Sequence, residues 1–329
     1  MEHFARSHQV TVCDDLSRAR ILGTQSVDQT YNWSYLRSKY PSVKMLKLDI
    51  RNQGALAEAS KDANIIIHTA GQVAVTTSIK DPRADFEVNA QGTFNVLEAA
   101  RRNDSTVIFC STNKVYGENV NNIPVKEQPK RYAFGPQQYV DGIPETFSID
   151  RTGHSPYGSS KLAADTYVQD YAHTYGLRTG VFRMSCIYGE RQFGVEDQGW
   201  VAWFVIASLM GRPITIYGNG KQVRDVLHVE DLVGAFDRFL LSTIQHEVFN
   251  MGGGSRNTLS LLELLDMIET RTGRRPDPKY RDWRRADQKV YISDIRKVSE
   301  SLGWKPTISP SDGVARMIKW VEDNRDLFS

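Results

Sequence analysis

Val107-Ile108-Phe109-Cys110-Ser111-Thr112-Asn113-Lys114-Val115-Tyr116-Gly117 decides how this chain is read. Its opening residues are apolar without alternation, the pattern of a strand buried on both faces of a parallel sheet. The run ends in the hydroxyls of Ser111 and Thr112, and open α/β sheets bind ligands beyond the carboxyl ends of their strands. Thr112 is therefore read as a ligand-facing hydroxyl; the plainer reading is a strand running into a polar turn. Working outward, the pattern predicts strands over residues 9–13, 43–48, 64–68, 106–110 and 178–183. A long helix is predicted over 82–102, with Phe86, Val88, Phe94 and Leu97 on its apolar face. The alternation argues for an α/β fold, a doubly wound parallel sheet.

Ser155-Pro156-Tyr157-Gly158-Ser159-Ser160-Lys161 reads as the start of a helix. Tyr157 and Lys161 then share one face, a single turn apart. An ammonium beside a phenol is expected to favour the phenolate and lower a pKa of about 10. Such a phenol takes a proton from a substrate hydroxyl while hydride leaves the same carbon. Tyr-x-x-x-Lys is common on exposed helix faces, so its weight comes from agreement with Thr112.

The 329 residues, 40% hydrophobic, suffice for a large core with a smaller lobe. Forty-one basic and 39 acidic side chains leave a net charge of +2, well mixed along the chain. Nothing there calls for nucleic acid or an anionic membrane as partner. Cys13, Cys110 and Cys186 are scattered and odd in number, which points to buried free thiols in a reducing compartment. The histidines show no metal-ligand spacing, and His154 is expected to make a polar contact. Residues 201–210, the most apolar stretch, are too short for a membrane span and read as a buried helix. The first residues lack the apolar region of a signal peptide, so a cytoplasmic location is expected.

The strand-end hydroxyl, the Tyr-x-x-x-Lys and the α/β pattern, in this order, resemble the extended short-chain dehydrogenase/reductase superfamily. The resemblance implies a Rossmann-like NAD-binding domain over 1–185 and 223–252. A smaller nucleotide-sugar lobe would cover 186–222 and 253–329. It also implies NAD as cofactor, a nucleotide-diphosphate sugar as partner, and a homo-oligomer. Cys13-Asp14-Asp15-Leu16-Ser17-Arg18 follows a strand. By resemblance Asp14 holds the adenosine ribose hydroxyls, with Ser17 beside it. This favours NAD over NADP, with Arg18 as a counter-indication. Asp49-Ile50 resembles the adenine contact, and the loop carrying Ala70 and Gln72 resembles the dinucleotide-contact loop. Asn89 matches the superfamily's helix asparagine; a helix-interior asparagine suits a specific hydrogen bond. Tyr157 and Lys161 complete the cofactor set, Lys161 holding the nicotinamide ribose.

Dinucleotide folds normally begin with a strand and a glycine-rich turn opening onto a helix. No such turn precedes residues 9–13, and Met1 to Ser7 reads as the second half of that first helix. The expectation is a sequence beginning at an internal methionine, about 20 residues short of the usual strand-turn-helix unit. A natural variant without cofactor binding is the competing reading. A sheet lacking that central strand would leave two edges open.

Tyr217-Gly218-Asn219-Gly220-Lys221-Gln222-Val223-Arg224-Asp225-Val226-Leu227-His228 resembles the signature of nucleotide-sugar epimerases and dehydratases. By that resemblance Arg224 grips the substrate's diphosphate with its planar fork, and Arg284 is a second phosphate arginine. Dehydratases of this class carry an Asp-Glu pair after the strand-end threonine; Asn113-Lys114 stands here, which disfavours dehydration. Epimerisation needs only Tyr157, the Thr112 hydroxyl and bound NAD. Several segments are most similar to the 2-epimerases of CDP-dideoxyhexoses, the CDP-paratose to CDP-tyvelose type. They are Ala70-Gly71-Gln72-Val73-Ala74, Thr76-Thr77-Ser78-Ile79, Arg191-Gln192-Phe193, Asp197-Gln198-Gly199-Trp200-Val201 and Asp287-Gln288. Cys186 occupies a place where common 4-epimerases carry asparagine. Gln192, Phe193, Gln198 and Trp200 would complete the substrate pocket; Phe193 and Trp200 read equally as core packing. Residues 118–153 are expected to form a long loop. Other functions stay open: a UDP-sugar 4-epimerase, a non-catalytic nucleotide-binding protein on this scaffold, or a reductase that releases its cofactor.

Overall fold

The computed structural model describes residues 1–22, 30–284 and 287–328. Eight strands frame it: β1 (Thr11–Asp14), β2 (Lys44–Lys47), β3 (Ile65–His68), β4 (Thr106–Thr112), β5 (Thr179–Met184), β6 (Cys186–Tyr188), β7 (Val223–His228) and β8 (His246–Met251). The main sheet runs β8-β5-β4-β3 with every pair parallel. β1 and β2 form a separate parallel pair, with Cys13 opposite Leu46. Among the described residues no ladder joins β1 to β3, so the Rossmann-like sheet is split where a gap was expected. The edges flanking the split are only half covered: Thr11 and Asp14 are exposed, and so is Ile65.

β4 explains its own apolar run. Ile108 packs with Phe182, Phe236, Phe239 and Phe249 on one face, while Val107 and Phe109 meet Leu97, Ala164 and Val168 on the other. Burial on both faces removes any reason for alternation. The helix predicted over 82–102 is Pro82–Phe86, a π-turn at Glu87–Gln91 and Gly92–Asn103 in succession. Its inward face differs in part from the one read in the sequence: Leu97 is buried as expected, but Phe86 and Phe94 are exposed, and Asp85, Asn89 and Val96 are buried. The wider π-turn rotates the following turns off a simple 3.6-residue register.

β7 is the seam between two cores. It pairs with β6 in parallel, with Thr258–Ser260 antiparallel and with Val290–Tyr291 in parallel. Val226 joins a core built from the Trp200–Leu209, Leu261–Thr272 and Pro310–Asp323 helices; the next residue, Leu227, joins the core under the main sheet. Trp200–Leu209 is the buried helix expected from its composition.

Two expectations are corrected. Met1 to Ser7 is not half a helix but a single 3-10 turn, Phe4–Arg6, anchored by the buried Phe4. Residues 118–153 are not a structureless loop. They carry a hairpin, Val125–Glu127 with Tyr132–Phe134, and pack through Ile123, Ile143 and Phe147 against Tyr116 and Tyr291. Apolar residues spaced singly through a polar stretch gave no periodic signal. Among the described residues no helix is long and apolar enough to cross a membrane.

Candidate active site

The end of β4 and the start of the Ser155–Tyr175 helix bring the three predicted residues together. The Thr112 hydroxyl accepts the Lys114 N–H at 3.3 Å, donates to Asn113 Oδ1 at 3.4 Å and lies beside the Tyr157 phenol. The Tyr157 N–H donates to Oγ of the buried Ser78 at 3.1 Å, which fixes the first helical turn. Ser155 enters that turn at φ 60°, a left-handed conformation that costs a non-glycine residue energy. Lys161 Nζ donates to the Cys110 carbonyl at 2.7 Å and lies 4.2 Å from the centre of the Phe109 ring.

The electrostatics differ from the sequence expectation. Burial pushes the Tyr157 phenol up to about 12; the Thr112 hydrogen bond pulls it down and the Asp85 carboxylate adds to the rise. Burial brings Lys161 down to about 8, opposed by Cys110, Asp165 and Asp85. The expected lowering of the phenol by Lys161 is therefore corrected. The ammonium is spent on the Cys110 carbonyl, and desolvation is the largest cause of the shift of each group.

Two buried polar networks under this pair escaped the sequence reading. Asp85 accepts from Ser160 Oγ at 2.5 Å, Gln72 Nε2 at 2.7 Å and Asn89 Nδ2 at 3.1 Å. Asn89 also clamps the Gln72 backbone, accepting its N–H at 2.9 Å and donating to its carbonyl at 3.0 Å. Asp165 takes both Nε and Nη2 of Arg183 at 3.0 Å, and Ser111 Oγ at 2.6 Å. Asp85 and Asn89 are four apart in a helix, the one signal that could have flagged a polar inward face. His154 makes the plain contact expected of it, Nε2 to the Val115 carbonyl at 3.0 Å.

The candidate cofactor residues follow the carboxyl ends of β1, β2 and β3. Asp14 accepts the Leu16 N–H at 2.7 Å, and Ser17 donates to Asp15 at 2.6 Å. Arg18 is engaged by the Phe193 carbonyl at 2.7 Å and Gln198 Oε1 at 2.5 Å. Asp49 is not a free carboxylate: Arg51 grips it with Nη2 at 2.6 Å and holds it below the usual range. Ile50 is buried against Leu56 and Val96, so little of it faces outward. Ala70 precedes the loop that Asn89 clamps. Asp14 ends β1 and Lys161 lies on the Ser155–Tyr175 helix beside β4, the two residues read for the ribose ends of a dinucleotide. Among the described residues no glycine-rich strand-to-helix turn is present to cradle its pyrophosphate.

On the substrate side both predicted arginines are already paired. Arg224 Nη2 meets Asp287 at 2.6 Å; Arg284 Nη2 meets Asp197 at 2.7 Å and stacks 3.9 Å from the Tyr217 ring centre. Phe193 packs against Tyr31, Trp320 and Phe328. Trp200 Nε1 donates to Cys186 Sγ at 3.2 Å and its ring packs on Phe204. The Gln192 Nε2 donates to the Ile187 carbonyl at 3.3 Å, while its Oε1 is buried with no partner among the described residues. Cys110 is buried, whereas Cys13 and Cys186 are only partly so; all three are free thiols. No group of three or more metal-ligating side chains is found among the described residues.

The chain is 45% identical over 265 residues to the CDP-paratose 2-epimerase of Salmonella typhi, spanning 77% of this chain and 76% of that protein. Its fold is similar to that of a UDP-glucose 4-epimerase of Thermotoga maritima solved with UDP-glucose. The TM-score is 0.79 at 26% identity, over 98% of this chain and 94% of that one. A UDP-glucose 4-epimerase of Thermus thermophilus, solved with NAD, gives a TM-score of 0.75 at 26% identity, over 98% and 93% of the two chains. The NAD dependent epimerase/dehydratase family is matched over residues 4–252. The chain belongs to that family and is an NAD-dependent enzyme.

Proposed function

We propose that the protein is a nucleotide-sugar epimerase that inverts C2 of a CDP-dideoxyhexose, of the CDP-paratose to CDP-tyvelose type. The observation that carries the reading is Tyr157 beside Thr112, with an amide and an ammonium rather than carboxylates at positions 113 and 114. That set moves one proton at one carbon and has no adjacent acid to expel a hydroxyl. The identity to the Salmonella typhi 2-epimerase supports the C2 position and the cytidine nucleotide.

Tyr157 is the base that takes the sugar hydroxyl's proton and later returns it. Thr112 orients that hydroxyl and shares its hydrogen bond with the phenol. Lys161, locked between helix and β4, holds the nicotinamide ribose; Asp14 and Ser17 hold the adenosine ribose, with Asp49, Ile50, Ala70, Gln72 and Asn89 lining the rest. Bound NAD supplies a reversible hydride acceptor. Arg224 and Arg284 hold the diphosphate; Gln192, Gln198 and Trp200 border the sugar, and Phe193 supports them from behind. The ketone turns over about its nucleotide anchor before reduction on the other face. Incubation with CDP-, UDP- and dTDP-linked sugars, followed by product analysis, tests the reading. Inversion at C2 of a CDP-sugar is expected; inversion at C4 of a UDP-sugar would replace it with the 4-epimerase reading.

A further inference from the structure

Both arginines proposed for the diphosphate arrive neutralised, Arg224 by Asp287 and Arg284 by Asp197. A substrate diphosphate carries about two negative charges and loses most of its hydration in a pocket, so two compensated ion pairs leave it short of positive charge. One cation nearby is uncommitted. Lys114 follows Thr112 by two residues, and its backbone N–H is held by the Thr112 hydroxyl. Its side chain is enclosed yet partly accessible, and its charged or titratable neighbours are Arg224, Asp287 and Cys186. Among the described residues its ammonium has no hydrogen bond and no ion pair within reach. Asp287, the one carboxylate facing it, is taken by Arg224 at 2.6 Å and also accepts the Gln288 N–H at 3.0 Å. Burial and the Arg224 charge both press Lys114 toward its neutral form. A lysine kept in such a place costs stability unless an anion joins it.

We propose that Lys114 is the cation that receives the substrate's sugar-linked phosphate, beside the reacting carbon. The inference rests on the nucleotide-sugar reading above and sharpens it. Thr112 marks where the reacting hydroxyl sits, and Lys114 reaches from the same backbone turn to the Arg224 cluster. One turn of chain thus spans hydroxyl and phosphate. The phosphate hangs on C1 of the sugar. C2 is the adjacent carbon, whereas C4 lies across the ring. The asparagine at 113 stays neutral, so the added charge is that of position 114 alone.

Calorimetric titration of the full chain with CDP and with cytidine tests this. Lys114→Met should weaken CDP binding about ten- to hundredfold, the range of one charge-assisted contact, and leave cytidine and NAD affinity unchanged. Its Tm should stay level or rise, since the buried charge is gone; a merely structural lysine would give the opposite. Lys114→Arg should restore part of the CDP affinity, and Lys114→Gln provides a second neutral variant should methionine disturb the fold. CDP affinity within twofold of wild type in both neutral variants, with loss in Arg224→Ala, would overturn the Lys114 assignment alone. Failure of the wild-type chain to bind CDP, UDP or dTDP would overturn the nucleotide-sugar reading and this proposal with it.

Discussion

Replacing Lys161 by methionine isolates what its burial costs. In the folded chain its ammonium is brought from 10.5 to about 8, chiefly by desolvation. At about 1.4 kcal/mol per unit this is roughly 3 kcal/mol against the charged form. The folded pKa lies below the unfolded one, so between them the unfolded chain binds more protons and stability rises with pH. Below pH 8 the full penalty applies. Integrating between pH 7 and pH 9.5, the wild-type chain should gain about 2 kcal/mol from this group alone. Lys161→Met has nothing to titrate. At pH 7 it should be the more stable protein by about 2 kcal/mol, after allowing roughly 1 kcal/mol for the lost bond to the Cys110 carbonyl. That advantage should shrink to nearly nothing by pH 9.5. Thermal or urea unfolding of both proteins without nucleotide, at several pH values, gives the difference directly, and other titrating groups cancel in it. A wild-type minus variant difference that stays flat over this range would refute the reasoning. It would mean that water or a local opening solvates the ammonium in the folded state.

Tyr157→Phe should keep the fold and NAD binding and abolish epimerisation, since loss of general acid–base help typically costs about 10²–10⁴ in rate. Product formation checks this, and in the active enzyme deuterium at the oxidised carbon should return to that carbon without washing into water. Arg224→Ala should raise KM with NAD affinity unchanged, by the roughly 1.5–3 kcal/mol of a charge-assisted contact; an unchanged KM would remove Arg224 from the pocket. Asp165→Ala strands the buried Arg183 guanidinium, which loses both bonds at 3.0 Å. Denaturant unfolding should show a loss of about 3–5 kcal/mol, and a loss under 1 kcal/mol would show that water replaces the carboxylate.

The strands were legible because burial on both faces of β4 writes an uninterrupted apolar run, and the parallel order followed from alternation with helices. Thr112, Tyr157 and Lys161 were legible because each has a chemistry tied to its place at a strand end or on a helix face. The protonation of the phenol was not. A four-residue spacing fixes which side chains share a face, but not whether the ammonium meets the phenol or a backbone carbonyl across the sheet. Lys161 meets the Cys110 carbonyl. Asp85 and Asp165 were illegible for a related reason. Buried carboxylates look like surface residues in a sequence until their partners from distant segments, Gln72 and Ser160 or Ser111 and Arg183, are brought in. The charge state of Arg224 was hidden likewise, because its partner Asp287 lies 63 positions away.

These buried carboxylates bear on the chemistry. Eliminating water from a sugar requires an acid and a base at neighbouring carbons in addition to hydride transfer. Asp85 and Asp165 both lie close enough to Lys161 to act on its charge, so carboxylates are not scarce around this site. Neither is available. Asp165 has its oxygens taken by Arg183, Ser111 and Gln169. Asp85 accepts from Ser160, Gln72 and Asn89, and burial raises its pKa. Asp287 is committed to Arg224. At the positions that follow Thr112 stand an amide and an ammonium, Asn113 and Lys114. The phenol of Tyr157 lies beside the Thr112 hydroxyl, and on the proposed reading it takes a proton from one oxygen and gives it back. Reversible oxidation at a single carbon needs no more than that.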